Sequence, residues 1–216
     1  MSNDDFLVTA ANLGIKDSTQ LARADWLRVA VKLLAEEGVD SLRITKLAEV
    51  LGVTRGSFYW HFKNREELLD TLIIYWQQKN ASLVPMVLKD MSSLNEGVVA
   101  LFAAWLDPSR FEPRLDVMIR DWGRKSSKVK KIVTRADIEC IEAIAHFFHK
   151  MGMNTVEAMT RARTMYFCQI GYYVLDLKES LSQRLQYWDD TLHMIIGSSI
   201  DKNEISYFAK KYGIVI

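Results

Sequence analysis

The chain has 216 residues, of which 49% are hydrophobic, and its formal net charge is only +1. This length accommodates one large domain or two small ones with a sizeable core, and Cys140 and Cys168 are too few for a disulfide framework. The N-terminus carries Asp4, Asp5 and Asp17 where a secretory leader would be basic and then apolar, and no apolar run approaches the roughly 20 residues of a transmembrane helix, so we expect a cytoplasmic protein with no membrane partner.

Helical periodicity runs through most of the chain and predicts an all-α fold, because no alternating β pattern is visible. Residues 1–20 are expected to form a loose arm. A first helix over about 21–37 should end at Gly38 and bury Trp26, Ala30, Leu33 and Leu34. The further helices are predicted at about 44–51, from 55, from 65 toward 85 or 88, and at 94–106, 112–123, 127–151, 155–177 and 181–197.

Residues 42–69 indicate two short helices joined by a tight turn. Ile44, Leu47, Ala48 and Leu51 are spaced i, i+3, i+4, i+7, which places them on one face of the first helix. Gly52 follows and supplies the positive φ at which a helix end reverses without a Cβ penalty. This pair has the layout of a helix-turn-helix.

The second helix of the pair should begin at Arg55 and be short. Thr54 is expected to cap it through the side-chain hydroxyl, and Phe58 and Phe62 should anchor its inner side. Asn64 and Glu67 form an Asn-x-x-Glu capping box that starts the next helix. The outer side carries hydrogen-bonding groups and amphipathic rings, namely Arg55, Ser57, Tyr59, Trp60 and His61. Side chains of these types bond base edges and phosphate oxygens in the DNA major groove.

At these residues the sequence resembles the TetR family of one-component bacterial transcriptional regulators. The resemblance covers roughly residues 22–72 and is carried by Leu47–Ala48, Gly52–Val53, Tyr59, Phe62 and the basic residue before Glu66. Beyond them it is architectural and identifies no ligand. It implies a DNA-binding domain over 21–66 and a helical regulatory and dimerisation domain over 67–216.

The resemblance also implies roles for individual residues. Arg55, Gly56 and Ser57 are expected to face bases, with Thr54 counted in the same DNA-binding set. Tyr59, Trp60 and His61 are expected to contact the DNA backbone, although a partly exposed aromatic edge is the alternative.

Three more positions extend this expected DNA-binding set. Arg65 matches a position that is usually lysine and lies in the first turn of a helix, which favours a phosphate contact. Thr45 falls where some relatives place a groove-facing side chain. Arg43 replaces a usual Ser or Thr cap, which predicts a poorer cap and an additional phosphate contact.

The C-terminal helices predict a homodimer. An apolar seam is expected at Tyr166, Tyr172, Leu185, Trp188, Leu192 and Ile195, and a four-helix packing across a two-fold axis would bury it. The alternative is that these side chains are intramolecular core. The modest basic excess between residues 21 and 65 also favours two DNA-binding heads on one palindromic operator.

A ligand pocket is expected among the middle helices. Its candidates are Phe102, Trp105, Met118, Phe147, Met165 and Tyr173, while Trp122 is expected to be core. The expected pocket positions are rich in aromatic rings and contain few charged residues, which indicates an apolar or aromatic effector of unknown identity. Met and aromatic residues at helical spacing are, alternatively, plain core.

Metal and catalytic sites receive little support from the sequence. Glu142, His146 and His149 share one helical face, but this spacing is unspecific, so we expect neither a metal nor a cofactor. The chain contains no nucleophile elbow, phosphate-binding glycine loop, CxxC pair or HExxH helix. We therefore expect a ligand-responsive regulator, more readily a repressor than an activator, and not an enzyme. The alternatives are a helical enzyme or an interaction module that does not bind DNA.

Overall fold

The computed structural model describes residues 22–197 and 202–211, and all regular secondary structure in these ranges is helical. The predicted arm at residues 1–20 lies outside the described residues. Within those ranges the α-helices are α1 (Arg23–Glu37), α2 (Ile44–Leu51), α3 (Arg55–Phe58), α4 (Arg65–Trp76), α5 (Leu83–Leu88), α6 (Leu94–Leu106), α7 (Pro113–Lys125), α8 (Ser127–Lys150), α9 (Thr155–Leu175), α10 (Leu181–Gln186), α11 (Trp188–Ile196) and α12 (Lys202–Lys211). A 3-10 turn (Val39–Ser41) and a π-helical segment (Gln77–Ala81) complete the elements. The all-α prediction is confirmed.

The chain divides into two compact units that are not the predicted domains. The first unit comprises the chain up to Trp76 together with Arg114–Lys130, and the second comprises Gln77–Pro113 and Lys131–Ile216. A buried carboxylate explains why the first unit recruits a distant segment: Asp116 is 3% exposed and accepts a hydrogen bond of 2.8 Å from Trp76 Nε1. The first unit therefore extends beyond the expected boundary at residue 66 and is discontinuous in sequence.

The long helix predicted from residue 65 toward 85 or 88 is not regular throughout. Its α-helical geometry ends at Trp76, and the π-helical segment precedes α5. Pro85 has no N–H and therefore cannot donate to the carbonyl of Ala81 four residues earlier. The Cys140 thiol donates to that carbonyl instead, over 3.3 Å, which identifies this buried cysteine as a structural donor.

The second unit encloses its own apolar core, built from α5, α6, α8, α9 and α11. The helices predicted over 94–106, 112–123, 127–151 and 155–177 are present with small shifts at their ends. The helix predicted over 181–197 is broken at Tyr187, whose N–H bonds to the carbonyls of Arg184 and Leu185. The helix α12 was not predicted. Among the described residues, no helix is both long enough and apolar enough to cross a lipid bilayer.

Candidate nucleic-acid interface

The predicted turn between α2 and α3 has the expected geometry. Leu47 and Ala48 are buried, and α2 ends at Gly52, which adopts φ 68° and ψ 28° in the left-handed region. The N–H of Val53 then bonds to the carbonyl of Ala48 over 3.0 Å. These contacts close a tight reversal that sets the direction in which α3 leaves α2.

The start of α3 differs from the prediction in one respect. Thr54 lies at the N-cap position, but its hydroxyl accepts no bond from the helix, so the predicted hydroxyl cap is wrong. The main chain supplies the bond instead, because the N–H of Ser57 donates to the Thr54 carbonyl over 3.1 Å. The Thr54 side chain is exposed and free of a capping task.

Buried aromatic rings pack against the inner side of α3. Phe58 is fully buried between Trp26 and Phe62, with centroid distances of 5.3 Å to each. Edge-to-face and stacked pairs of this kind stabilise beyond simple area burial, by about 0.5–1.5 kcal/mol each. The short α3 therefore owes its position to tertiary packing rather than to its own helix propensity.

Arg23 is a positioning residue that the sequence analysis missed. Its guanidinium lies 4.4 Å from the centroid of the Phe62 ring and forms an ion pair of 3.1 Å with Glu67. It also donates to the carbonyl of His61 and to the hydroxyl of Thr71. Arg23 thereby links α1 to the segment that follows α3. Because its partners lie far along the sequence, no local pattern could reveal this role.

The outer side of α3 and the turn after it is exposed, as predicted. Tyr59 is 54% exposed and Trp60 is 87% exposed, while Arg55 and Gly56 are also exposed. Ser57 and His61 are half-buried. The stretch therefore places large rings and a guanidinium in solvent directly beside the fully buried Phe58.

The start of α4 forms only half of the predicted capping box. Asn64 Oδ1 accepts the N–H of Glu67 over 2.9 Å, as expected. The Glu67 carboxylate accepts the N–H of Lys63 over 2.7 Å, one residue earlier than a capping box requires. This backbone bond, followed by the charge of Arg23, lowers the pKa of Glu67 below its usual value.

Arg65 has structural partners that its predicted phosphate role did not anticipate. Its Nε donates to the Leu42 carbonyl over 2.6 Å, and its Nη2 donates to the Val39 carbonyl over 3.1 Å. A third nitrogen lies 3.6 Å from the Glu66 carboxylate. Two of the three guanidinium nitrogens thus hold the 3-10 turn and Leu42 against α4. The phosphate contact of Arg65 stays a prediction.

The predicted residues at the start of α2 are open to solvent. Arg43 is exposed and caps α2 without a side-chain hydrogen bond, which confirms the poorer cap that was expected. Thr45 is exposed as well. Lys46, in contrast, is engaged in an ion pair with Glu37. The side chains of Arg43 and Thr45 are therefore accessible for binding a partner molecule.

The predicted ligand-pocket residues do not lie in one unit. Phe102, Trp105, Phe147 and Met165 are buried in the second unit, and Tyr173 is half-buried there. Met118 belongs to the first unit, together with Trp122. Trp122 lines a cleft of about 260 Å³ in the first unit, so it is not the plain core residue that was expected.

The predicted dimer seam is largely intramolecular core. Tyr166, Trp188, Leu192 and Ile195 are at most 9% exposed and contribute to the core of the second unit. Tyr172 and Leu185 are half-buried. For the four buried residues the alternative reading is the correct one, because apolar spacing cannot tell whether a face is covered by its own chain or by a copy.

The acidic and histidine residues on α8 are not gathered into a group of metal ligands in the described part of the chain. Glu142, His146 and His149 are exposed, and His149 Nδ1 bonds to the carbonyl of Met153 over 2.9 Å at the helix end. Within residues 22–197 and 202–211, no three His, Cys, Asp or Glu side chains are grouped closely enough to hold a metal ion.

Comparisons with known proteins identify the first part of the chain. Residues 27–72 match the family described as bacterial regulatory proteins, tetR family. The chain is 50% identical over 54 residues to the tetracycline repressor protein class A of Escherichia coli, a match that covers 25% of each chain. It is 34% identical over 68 residues to the HTH-type transcriptional regulator AcrR of Shigella flexneri, covering 32% of this chain and 30% of that protein. The matched segment thus spans only a quarter to a third of these relatives.

Solved structures share the fold over nearly the whole chain. The ketosteroid transcriptional regulator KstR2 of Mycobacterium tuberculosis superposes with a TM-score of 0.63 at 14% identity, covering 85% of this chain and 98% of that one. Mycobacterium smegmatis AmtR gives the same TM-score at 18% identity and covers 93% and 98%. At such identities these likenesses show the fold alone. Residues 27–72 thus match the tetR family of bacterial regulatory proteins, and the chain shares its fold with these solved structures.

Proposed function

We propose that this protein is a DNA-binding transcriptional regulator that contacts an operator through α3 and the turn after it. The observation that carries the proposal is the 87% exposure of Trp60 beside the fully buried Phe58. Burial of a large apolar side chain contributes about 1.5–3 kcal/mol to folding, and Trp60 makes almost none of that contribution. An exposed ring next to the exposed Arg55 fits contact with a sugar–phosphate backbone.

The charges around this surface support the same function. Arg43, Arg55 and Lys63 are exposed, and none of the three forms an ion pair with any residue that the structure describes. Exposed cations that form no ion pair can neutralise phosphates and release counterions from DNA. Because one DNA-binding surface carries so few cations, a single copy of the protein should bind DNA weakly. This favours a dimer that places two such surfaces on one palindromic operator.

Selection of bound duplexes from a random library, followed by titrations at several salt concentrations, tests this proposal. We expect Trp60→Ala to weaken binding about fivefold, since one backbone contact contributes about 1 kcal/mol. Arg55→Ala should alter the selected motif, because an arginine that reads guanine discriminates by about 1–3 kcal/mol. Ile74→Ala is the matched control, because Ile74 is an exposed apolar residue on α4. A wild-type protein that selects no duplex would contradict the proposal.

We also propose that the regulator is a homodimer joined through the outer face of α9. This face exposes apolar side chains that the core does not use: Val156 is 77% exposed, Phe167 51% and Val174 46%. The spacings of 11 and 7 residues place these three side chains on one face of α9, and several exposed apolar side chains on one face favour an interaction surface. A second copy is the proposed occupant, since two-fold pairing is the commonest closed assembly and supplies the second head. We propose this face of α9 as the dimer interface in place of the one expected from the sequence at Trp188 and Leu192.

Two glutamate substitutions test this interface. Phe167→Glu should give a folded monomer with weakened operator binding, because the side chain is largely outside its own core. Trp188→Glu should instead unfold the second unit, because Trp188 is 9% exposed and its ring lies 3.9 Å from that of Phe102. Sedimentation and circular dichroism separate the two results. A Phe167→Glu protein that remains dimeric would place the interface elsewhere.

Repression, and release by a small apolar or aromatic effector, complete the proposal. A dimer bound at a promoter blocks polymerase without any further activating surface, and the second unit contains a ring-rich core. Transcription in vitro from a template that carries the selected operator tests the sign of regulation. We expect the transcript to decrease as protein is added. An increase would identify an activator.

A further inference from the structure

The second unit contains a buried amide that lacks an acceptor. Gln169, on α9, is only 8% exposed, and its Nε2 donates no hydrogen bond in the described part of the chain. An unsatisfied buried donor costs about 1–3 kcal/mol, and native interiors hold very few of them. This Nε2 therefore indicates an acceptor that residues 22–197 and 202–211 do not provide.

A second donor group without an acceptor among the described residues is the guanidinium of Arg184, a half-buried residue on α10. Its Cζ lies 4.2 Å from the centroid of the Tyr172 ring and 5.4 Å from that of Phe102. Burial removes hydration and lowers the pKa of Arg184, while Tyr173 and Glu179 act in the opposite direction. No carboxylate among the described residues forms an ion pair with it, and its nitrogens donate no hydrogen bond there. Rings stabilise the cation, but they leave its in-plane N–H groups unbonded.

The Arg184 guanidinium lies over the rings of Phe102 and Tyr172, and these two residues together with Tyr173 and Trp188 are called the aromatic cluster. Tyr172 and Tyr173 follow Gln169 by three and four residues on α9, so all three share one helical face. The Phe102 ring lies 3.9 Å from that of Trp188, and Tyr173 donates to the Trp105 carbonyl over 3.1 Å. The cluster thus joins flat apolar surface to two donors without acceptors.

We infer that Gln169 and Arg184 form an anion-binding site, and that the effector of the proposed regulator is an aromatic or apolar monocarboxylic acid. This inference rests on the proposed regulatory function. A planar carboxylate matches two N–H groups of a guanidinium and leaves a lone pair for the Gln169 amide. The apolar body of the acid packs against the aromatic cluster, as is usual in ligand sites.

The local charge favours a monoanion over a phosphate. The Glu179 carboxylate accepts a hydrogen bond from the Tyr172 hydroxyl, and its negative charge acts to raise the pKa of Arg184. A dianion would meet this negative charge with a single guanidinium to compensate it. A monocarboxylate meets less repulsion and uses both available donors.

Calorimetric titration of the full chain with a series of acids tests the site. The probes are phenylacetate, 3-phenylpropionate, 4-phenylbutyrate and decanoate, each compared with its neutral amide, and inorganic phosphate is the charge control. We expect at least one acid to bind about tenfold or more tightly than its amide, because hydrogen bonds to charged groups are the stronger ones. The inference is overturned if no acid binds more tightly than its amide, or if phosphate binds as tightly as the acids.

Two conservative variants connect binding to the assigned residues. Arg184→Lys keeps the charge but loses the planar fork, so the acid should bind about tenfold more weakly. Gln169→Met removes the orphaned donor while nearly preserving volume, so it should raise the thermal midpoint of the free protein and weaken acid binding together. A merely structural glutamine would give a lower midpoint and unchanged acid binding, which would overturn its role. If Arg184→Lys does not fold, Gln169→Met still decides the question.

Operator titration separates this inference from the function on which it rests. Wild-type protein that binds no operator in the absence of acid contradicts the proposed function, whereas calorimetry reports the acid site independently of DNA. Operator binding that is present but unaffected by an acid bound through Arg184 and Gln169 overturns the effector assignment alone. The expected result is at least a tenfold loss of operator affinity on saturation with the acid.

Discussion

Replacement of Arg65 distinguishes a structural arginine from a DNA-contacting one. Arg65→Ala removes the 2.6 Å bond to the Leu42 carbonyl and the 3.1 Å bond to the Val39 carbonyl. The Val39 carbonyl keeps a second donor in the N–H of Leu42, so the Leu42 carbonyl suffers the larger loss. Hydrogen bonds from charged donors contribute about 1.5–3 kcal/mol. Because the Arg65 side chain is 35% exposed, we expect the lower part of that range, about 2 kcal/mol of unfolding free energy.

Urea unfolding followed by tryptophan fluorescence measures this loss as a decrease in the midpoint at constant slope. Arg65→Lys keeps the charge and at most one of the two bonds, so it should lie between wild type and Arg65→Ala. Arg43→Ala is the matched control, since Arg43 is exposed and caps α2 without a side-chain bond. The control should change stability by less than about 0.5 kcal/mol.

In DNA binding the order of the two variants should be reversed: Arg43→Ala should change the salt dependence of operator affinity more than Arg65→Ala does. Arg43→Ala should flatten the dependence of operator affinity on salt by about one charge per head. Arg65→Ala should weaken operator binding only to the extent that it destabilises the 3-10 turn. If Arg65→Ala unfolds like wild type and flattens the salt dependence by about one charge, Arg65 is a phosphate contact and the structural assignment is refuted.

Two further predictions concern the turn and the start of α4. Gly52→Ala should lower the unfolding free energy by about 1–2 kcal/mol, because φ 68° is strained for any residue with a Cβ. Gly56→Ala is the control, because a Cβ there would meet only the Thr54 hydroxyl oxygen at an ordinary 3.6 Å. The lowered pKa of Glu67 implies stability that is present above the ordinary value of 4.5 and lost as pH falls through the lowered one. Glu67→Gln should remove that part of the decrease in unfolding midpoint at acid pH. A variant whose midpoint falls with pH as the wild-type midpoint does would contradict this prediction.

The sequence predicted α2, the turn and α3 because their determinants are local. Apolar spacing sets the face of α2, and a single glycine at residue 52 permits the reversal. Phe58 and Phe62 were identifiable as inner residues because they are purely apolar rings spaced four apart, whereas Tyr59 and Trp60 each carry a polar group. The division of Trp60 and Phe58 into an outer and an inner side follows from the same helical geometry.

Long-range partners explain what the sequence could not predict. The acceptors of Arg65 lie 23 and 26 residues earlier in the chain, so the residue looks locally like any cation at a helix start. Asp116 likewise joins the first unit through a tryptophan 40 residues away. The apolar stripe of the C-terminal helices was visible, but which of its members face the chain's own core depends on tertiary packing. Trp188 and Phe167 differ in exposure for that reason.

Inner and outer positions alternate within residues 55–62, and this arrangement constrains how the proposed DNA-contacting surface can change. Phe58 and Phe62 fix the position of the segment, while Arg55, Tyr59 and Trp60 contribute little to the core. Substitutions at the outer positions therefore alter contacts with a partner at small cost in stability, since exposed changes shift unfolding free energy by about 0.5 kcal/mol or less. Substitutions at the inner positions displace every outer side chain together. Under the proposed function, DNA specificity can thus diverge at the outer positions while the buried rings keep those positions in place.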